Sequence, residues 1–193
     1  MDRSSQMASR STLLIITGEI GTGKTLLCRL LAEAARQAQW QVSGLLSPGR
    51  FKGDLKIGFD VVDLRLGRTY PLAELARPGE GGEATPRWHF DPQRLDWGNQ
   101  VLQNALPTDL LVVDELGPLE LKFGQGWQAG IEALNRASDY RLALAVIRPS
   151  LLAYGRQHWP QARTVTLLAP QQVPYLAAEL GREFIQAGEP SQG

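Results

Sequence analysis

Two hydrophobic periods alternate along this chain, and together they divide it into strands and helices. Leu13–Ile16 is an unbroken apolar run with β-branched members, the pattern of a strand buried on both faces of a parallel sheet. Beyond the next loop, Leu27, Leu30, Leu31 and Ala34 recur at helical spacing, with Arg29, Glu33 and Arg36 on the other face. Gln41–Ser47 and Lys56–Leu64 read as strands, separated by the turn-rich SPGRFKGDL. That connection is too short for a crossover helix, so it predicts an antiparallel hairpin on the edge of the main sheet. Arg77–Arg87, RPGEGGEATPR, has no periodicity and reads as a mobile loop. Asp91 and Pro92 have the chemistry of an N-cap and a first helical position, opening a helix to about Ala105. Asp109–Asp114, DLLVVD, is a second buried strand. A helix over Gly126–Ser138, a strand over Leu142–Ile147 and a helical stretch after Pro149 follow. A strand near Thr164–Leu168 and a helix from about Gln171 to Ala187 complete the series. Strands alternating with helices, with one hairpin inserted, imply an α/β fold around a mostly parallel sheet.

Composition narrows the function classes. At 193 residues the chain suits one domain with a full core, with 11–187 as that domain, 1–10 as a disordered lead and 188–193 as a disordered tail. Lys plus Arg and Asp plus Glu each total 20, and no basic cluster occurs, which argues against an obligate nucleic-acid partner. Apolar runs fall well short of the roughly 20 residues that span a bilayer, and MDRSSQMASR has no apolar signal region. The single cysteine, Cys28, reads as a buried filler on the first helix, and His89 and His158 offer no metal-ligand spacing. The expectation is a soluble, cytoplasmic protein.

The chemistry is concentrated in Gly18-Glu19-Ile20-Gly21-Thr22-Gly23-Lys24-Thr25, GEIGTGKT, between the first strand and the first helix. Its glycines let the backbone curl so that consecutive N–H groups face one anion at a helix N-terminus. Lys24 then places an ammonium against β- and γ-phosphates, and the Thr25 hydroxyl is a candidate Mg²⁺ ligand. A phosphate cradle also needs a carboxylate at the end of a neighbouring apolar strand. LLVVDELGPLEL supplies Asp114, a candidate for holding the metal through water. It also supplies Glu115, a candidate to orient or deprotonate an attacking water.

GEIGTGKT, KIGFDVVDLRLGRTYPLA and VVDELGPLELK together resemble the P-loop nucleoside-triphosphatases of thermophiles and their animal cancer-related homologues. Gly58-Phe59 and Asp114-Glu115-Leu116-Gly117-Pro118-Leu119-Glu120-Leu121 match the family pattern, and the matching blocks span roughly residues 11 to 125. The resemblance implies a P-loop three-layer sandwich and slow Mg²⁺-dependent hydrolysis of several nucleoside triphosphates, ATP and GTP among them. Residues 18–26, with Leu26 in the place of a hydroxyl that touches the α-phosphate, would bind the nucleotide. Ile20 stands where the family usually has Pro. Ala169-Pro170-Gln171-Gln172 stands where many members carry Asn-Arg-Asp, which bears on base recognition, and Arg87 precedes Trp88 where a Gly is common.

Other residues carry paired readings. Arg148, after LALAVI, is either an internal arginine finger on the γ-phosphate or a surface arginine. Trp88 and His89 either stack on a base or, for Trp88, pack on the sheet. Glu120 either orients Lys122 or a metal-bound water, or has a structural role. Arg65 and Arg68 either reach phosphate or end a solvated strand, and Trp40, Trp97, Trp127 and Trp159 read as core or rim. A small-molecule or nucleotide kinase would use the same cradle, and a nucleotide-operated switch would use segments ordered by the γ-phosphate.

Overall fold

The computed structural model describes residues 11–78 and 85–186. The lead over 1–10, the tail over 188–193 and the middle of the expected mobile loop lie outside the described residues. The strands are β1 (Thr12–Gly18), β2 (Val42–Leu46), β3 (Gly49–Lys52), β4 (Leu55–Asp63), β5 (Thr69–Leu75), β6 (Trp88–Phe90), β7 (Leu110–Leu116), β8 (Leu142–Ile147) and β9 (Arg163–Leu167). The helices are α1 (Lys24–Gln37), α2 (Pro92–Gln103), the single turn α3 (Pro118–Leu121), α4 (Gln128–Asn135), α5 (Leu152–His158) and α6 (Val173–Leu180). A π-helical turn over Gly181–Ile185 continues α6.

All nine described strands join one sheet, in the order β6-β5-β4-β2-β7-β8-β1-β9, with β3 paired to β4. From β2 to β9 the pairings are parallel, and the alternation along β1 shows why this half reads as unbroken apolar sequence. Leu13 and Ile15 enter one core with Leu102, Trp127, Ala133 and Trp159 from the α2, α4 and α5 side. Leu14 and Ile16 enter the other, with Leu27, Leu31 and Val173 from α1 and α6. A strand covered by helices on both faces has no polar side to show. The three-layer arrangement therefore follows from the sequence pattern. Asp91 caps α2 as expected, its carboxylate accepting from the Gln93 N–H at 2.9 Å, and Cys28 is fully buried.

The inserted hairpin is larger than expected. β2 and β4 pair antiparallel through Leu45 with Asp63 and Leu46 with Val62, but β3, β5 and β6 extend them into an antiparallel ribbon. β3 lies inside SPGRFKGDL, which the sequence pattern assigns to a turn. β6 lies just after the expected loop. Both are short and partly exposed, so their hydrogen-bonded neighbours stabilise them more than their own composition does. No helix among the described residues is long and apolar enough to cross a membrane.

Candidate active site

The glycine loop leaves β1 and enters α1, and two glycines in it are sterically fixed. Gly18 has φ 148°, and a Cβ there would stand 2.3 Å from the Leu167 carbonyl oxygen of β9. Gly23 has φ 91°, and a Cβ there would meet the Val173 side chain of α6 at 2.7 Å. The loop is thus pressed against β9 and α6 while its outer face stays open: Ile20 is 77% exposed. Thr22 Oγ1 donates to the Glu19 carbonyl at 2.8 Å, tying the turn together. Lys24 Nζ lies back over the loop, donating to the Gly18 and Glu19 carbonyls, each at 2.7 Å. Burial lowers its pKa, while the Glu115, Asp114 and Glu19 carboxylates hold it up.

The carboxylates come from the end of β7, where the β7–β8 register shifts between Val113 and Leu116. On a regular strand, residues three apart face opposite sides. Here Val113 and Leu116 enter the same core cluster, so the irregularity takes up one residue and releases Asp114 and Glu115 from the alternation. Glu115 carries the local distortion, with φ 73°, a conformation costing a non-glycine residue on the order of 1–3 kcal/mol.

Asp114 is 1% exposed. Its Oδ2 accepts from the Ser47 N–H at 2.9 Å, whereas among the described residues Oδ1 has no partner in hydrogen-bonding geometry, the Thr25 hydroxyl acting on the carboxylate from nearby. Burial raises its pKa from 3.8 to about 6, against the Ser47 N–H, the Thr25 hydroxyl and Lys24, which lower it. A buried carboxylate oxygen without a partner, beside a threonine hydroxyl, fits a hard cation that takes oxygen ligands. Among the described residues no cluster of three or more His, Cys, Asp or Glu could hold a metal alone. The fit is to an ion sharing its shell with phosphate oxygens and water, as Mg²⁺ does.

Arg148 follows β8 at the same sheet edge and forms an ion pair with Glu115. Lys24, Thr25, Asp114, Glu115 and Arg148 therefore converge from three adjacent parallel strands or the loops that follow them. Other candidates part from this group. Glu120 is buried, its Oε2 accepting from the Gly117 N–H at 2.7 Å and its Oε1 from the Trp127 N–H at 2.9 Å. Both oxygens are committed to backbone, so its role is structural, and burial raises its pKa. Arg65 is held away from the cradle, donating to Ser43 Oγ and to the Asn104 and Ala105 carbonyls at the end of α2. Trp88 packs edge-on against Phe59, with ring centroids 4.7 Å apart, and His89 is exposed. Trp40, Trp127 and Trp159 are buried in the cores.

A model of the family described as NTPase matches residues 13–154, from the first strand past the carboxylate strand and Arg148. The chain belongs to the NTPase family. It is 33% identical over 127 residues to the nucleoside-triphosphatase THEP1 of Methanopyrus kandleri, a match covering 65% of this chain and 67% of that protein. The solution structure of a human cancer-related nucleoside triphosphatase superposes with a TM-score of 0.68 at 23% identity, covering 94% of this chain and 100% of that one. The crystal structure of THEP1 from Aquifex aeolicus gives 0.65 at 16% identity, covering 90% and 99%. At those identities the two structures speak for the fold, and they share it.

Sequence reasoning missed one group at this NTPase's site. Lys56, near the start of β4, stands 3.6 Å over the Phe59 ring, and burial lowers its pKa while Glu115 and Asp114 raise it and Arg148 lowers it further. The signal was slight: Lys56 is one of four lysines and opens the block KIGFDVV. Two openings flank the cradle. A groove of about 740 Å³ starts at Thr25 and Leu26 and runs along α1 past Arg29 and Glu33 to the β4–β5 turn. A second cavity, of about 280 Å³, lies at Glu115 and Arg148.

Proposed function

We propose that this NTPase hydrolyses ATP, GTP and other nucleoside triphosphates with Mg²⁺, releasing diphosphate and phosphate. The observation that carries this reading is the meeting of Lys24, Thr25, Asp114, Glu115 and Arg148 at one sheet edge, with Asp114 Oδ1 lacking a partner in hydrogen-bonding geometry among the described residues. The N–H groups of residues 18–26 cradle the phosphates at the start of α1. Lys24 gives up the Gly18 and Glu19 carbonyls for β- and γ-phosphate oxygens, exchanging neutral acceptors for charged ones. Thr25 directly and Asp114 through water would hold Mg²⁺, which neutralises charge on the β- and γ-oxygens.

Glu115 and Arg148 work as a pair. The γ-phosphate competes with Glu115 for the guanidinium, and Arg148 then stabilises charge on the transferring group. Released from that pair, the Glu115 carboxylate orients or deprotonates the attacking water. Its φ of 73° takes it out of the regular strand conformation at the sheet edge, which supports this role. Action in the cytoplasm without nucleic acid or membrane completes the reading, in keeping with equal totals of basic and acidic residues and no basic cluster.

Phosphate release from ATP, GTP, CTP and UTP, with Mg²⁺ and with a chelator, tests this reading. Acceptor-free release that requires Mg²⁺ supports it. No release from any of the four sinks it.

A further inference from the structure

Lys56 is a cation that the hydrolysis scheme leaves without a task. Among the described residues its ammonium makes no hydrogen bond or ion pair. It rests on π faces instead, with Nζ 3.6 Å from the Phe59 ring centroid and 5.9 Å from that of Trp88. Phe59 is buried and its ring meets Trp88 edge-on, so this seat is held in place. A π face attracts an ammonium without neutralising it, and the charge stays available to an anion.

The neighbouring backbone leaves room for this side chain and ties it to the carboxylates. Lys56 lies across Gly49 of β3, where a Cβ would stand 2.7 Å from its Cε and 3.2 Å from its Nζ. Two residues before Gly49, the Ser47 N–H donates to Asp114 Oδ2 at 2.9 Å and the Ser47 hydroxyl to the Asp114 carbonyl at 3.2 Å. The amine therefore stands beside the segment that is bonded to the end of β7. It lines one cavity with Glu115 and Arg148. Glu115 is the charge that acts on it most strongly, against the burial that lowers its pKa. Glu120 borders the same cavity, but both its oxygens already accept backbone N–H groups.

The reaction creates the need for such a cation. Arg148 is paired with Glu115 and leaves that pair for the transferring phosphoryl group. Lys24, on which Glu115 is also the strongest charge, turns to phosphate as well. Glu115 is then a carboxylate next to a polyanion, with both cations drawn away from it. Like charges in a partly buried site repel strongly, so the carboxylate needs another partner to keep its place. Lys56 faces the same cavity, and its flexible four-carbon stem lets the ammonium leave the ring face without moving β4. We propose that Lys56 is a positioning residue for hydrolysis, taking the Glu115 carboxylate when Arg148 turns to the phosphate and holding it at the attacking water. This inference rests on the hydrolysis reading above and adds to it a residue from the antiparallel ribbon.

The experiment measures kcat and KM for ATP with Mg²⁺, by phosphate release from the full chain and its variants. Lys56→Met keeps an unbranched stem over Phe59 and removes the charge. It should lower kcat about ten- to a hundredfold, the scale of a misplaced reacting group, with KM within about threefold of the parent. Lys56→Arg restores a cation and should lose less than about fivefold. Lys56→Gln stands in if Lys56→Met fails to fold. The deciding readout is the double variant. With the carboxylate already gone in Glu115→Gln, adding Lys56→Met should change the residual single-turnover rate by less than about twofold, because residues acting through one another are not additive.

An unchanged kcat in folded Lys56→Met overturns the proposal. A raised KM with kcat kept also overturns it, and would put Lys56 on the phosphates of the nucleotide instead. So does a further loss of about tenfold on top of Glu115→Gln, which would mean that Lys56 acts without the carboxylate. A parent protein that hydrolyses normally beside an equally active Lys56→Met leaves the hydrolysis reading standing and removes only Lys56. A parent that releases no phosphate from any triphosphate overturns both.

Discussion

The two halves of the sheet are built from different kinds of sequence. From β7 to β9 the strands are parallel, and β8 is buried at every position. From β4 to β6 they are antiparallel, and β5 shows a burial pattern with only Leu72 and Ala73 inside. The parallel half supplies the phosphate loop, both carboxylates and Arg148, all at the ends of adjacent strands, where ligands bind in open α/β sheets. The antiparallel half supplies no residue of that group. It supplies Lys56, Phe59, Trp88 and Phe90, the walls of a cavity facing it. The candidate phosphate site thus belongs to the core sheet, while the aromatic cavity beside it is walled jointly by that sheet and the attached ribbon.

The strongest way to break this division is Glu115→Gln in the parallel half. Loss of a positioned base lowers rate by about 10²–10⁴, so hydrolysis should fall by that order while triphosphate binding persists. Single-turnover phosphate release and a binding titration separate the two effects. Near-normal hydrolysis would move the base elsewhere, and Glu120 is no substitute because both its oxygens accept backbone N–H groups.

Lys24→Ala comes next. It removes a charge-assisted contact of about 1.5–3 kcal/mol, which corresponds to a loss of triphosphate affinity of roughly ten- to more than a hundredfold. Calorimetric titration reads it directly, and unchanged affinity would rule out the cradle. The fold should survive, since among the described residues the ammonium's hydrogen bonds go to two loop carbonyls and not to the core.

Glu120→Gln sharpens the comparison inside the parallel half itself. An amide offers one acceptor where the carboxylate serves two N–H groups, so a buried donor at Gly117 or Trp127 loses its partner. A cost of about 1–3 kcal/mol is expected, seen as a lower Tm with a rate within severalfold of the parent at a temperature where both are folded. A rate loss as deep as that of Glu115→Gln, without a change in Tm, would place Glu120 in the chemistry.

The smallest effect is expected from Arg65→Ala at the end of β4. Arg65 bonds Ser43 and the last carbonyls of α2, joining the ribbon to the helix layer at the surface. Its removal should cost about 1 kcal/mol and leave turnover unchanged. Slower turnover would show that the ribbon's attachment reaches the phosphate site.

Much of the parallel half is legible before folding because its requirements are local. A phosphate cradle needs consecutive N–H groups from one stretch of backbone, so the proposed one lies in the contiguous residues GEIGTGKT, where Gly18 and Gly23 take positive φ values. A strand buried on both faces must be apolar throughout, so LLII, LLVV and LALAVI mark β1, β7 and β8 in the sequence. The capping of α2 by Asp91 is equally local. Tertiary structure alone decided the rest. β3, β5 and β6 are strands because β4 and its neighbours accept their hydrogen bonds, and SPGRFKGDL by composition favours turns. Glu120 became structural because folding brought the Trp127 N–H to it, and Arg148 met Glu115 only because β8 lies beside β7. The aromatic cavity joins Phe59, Trp88 and Trp127 from distant parts of the chain. A local pattern fixes backbone conformation, but it does not specify which side chains will share a space once the strands are ordered.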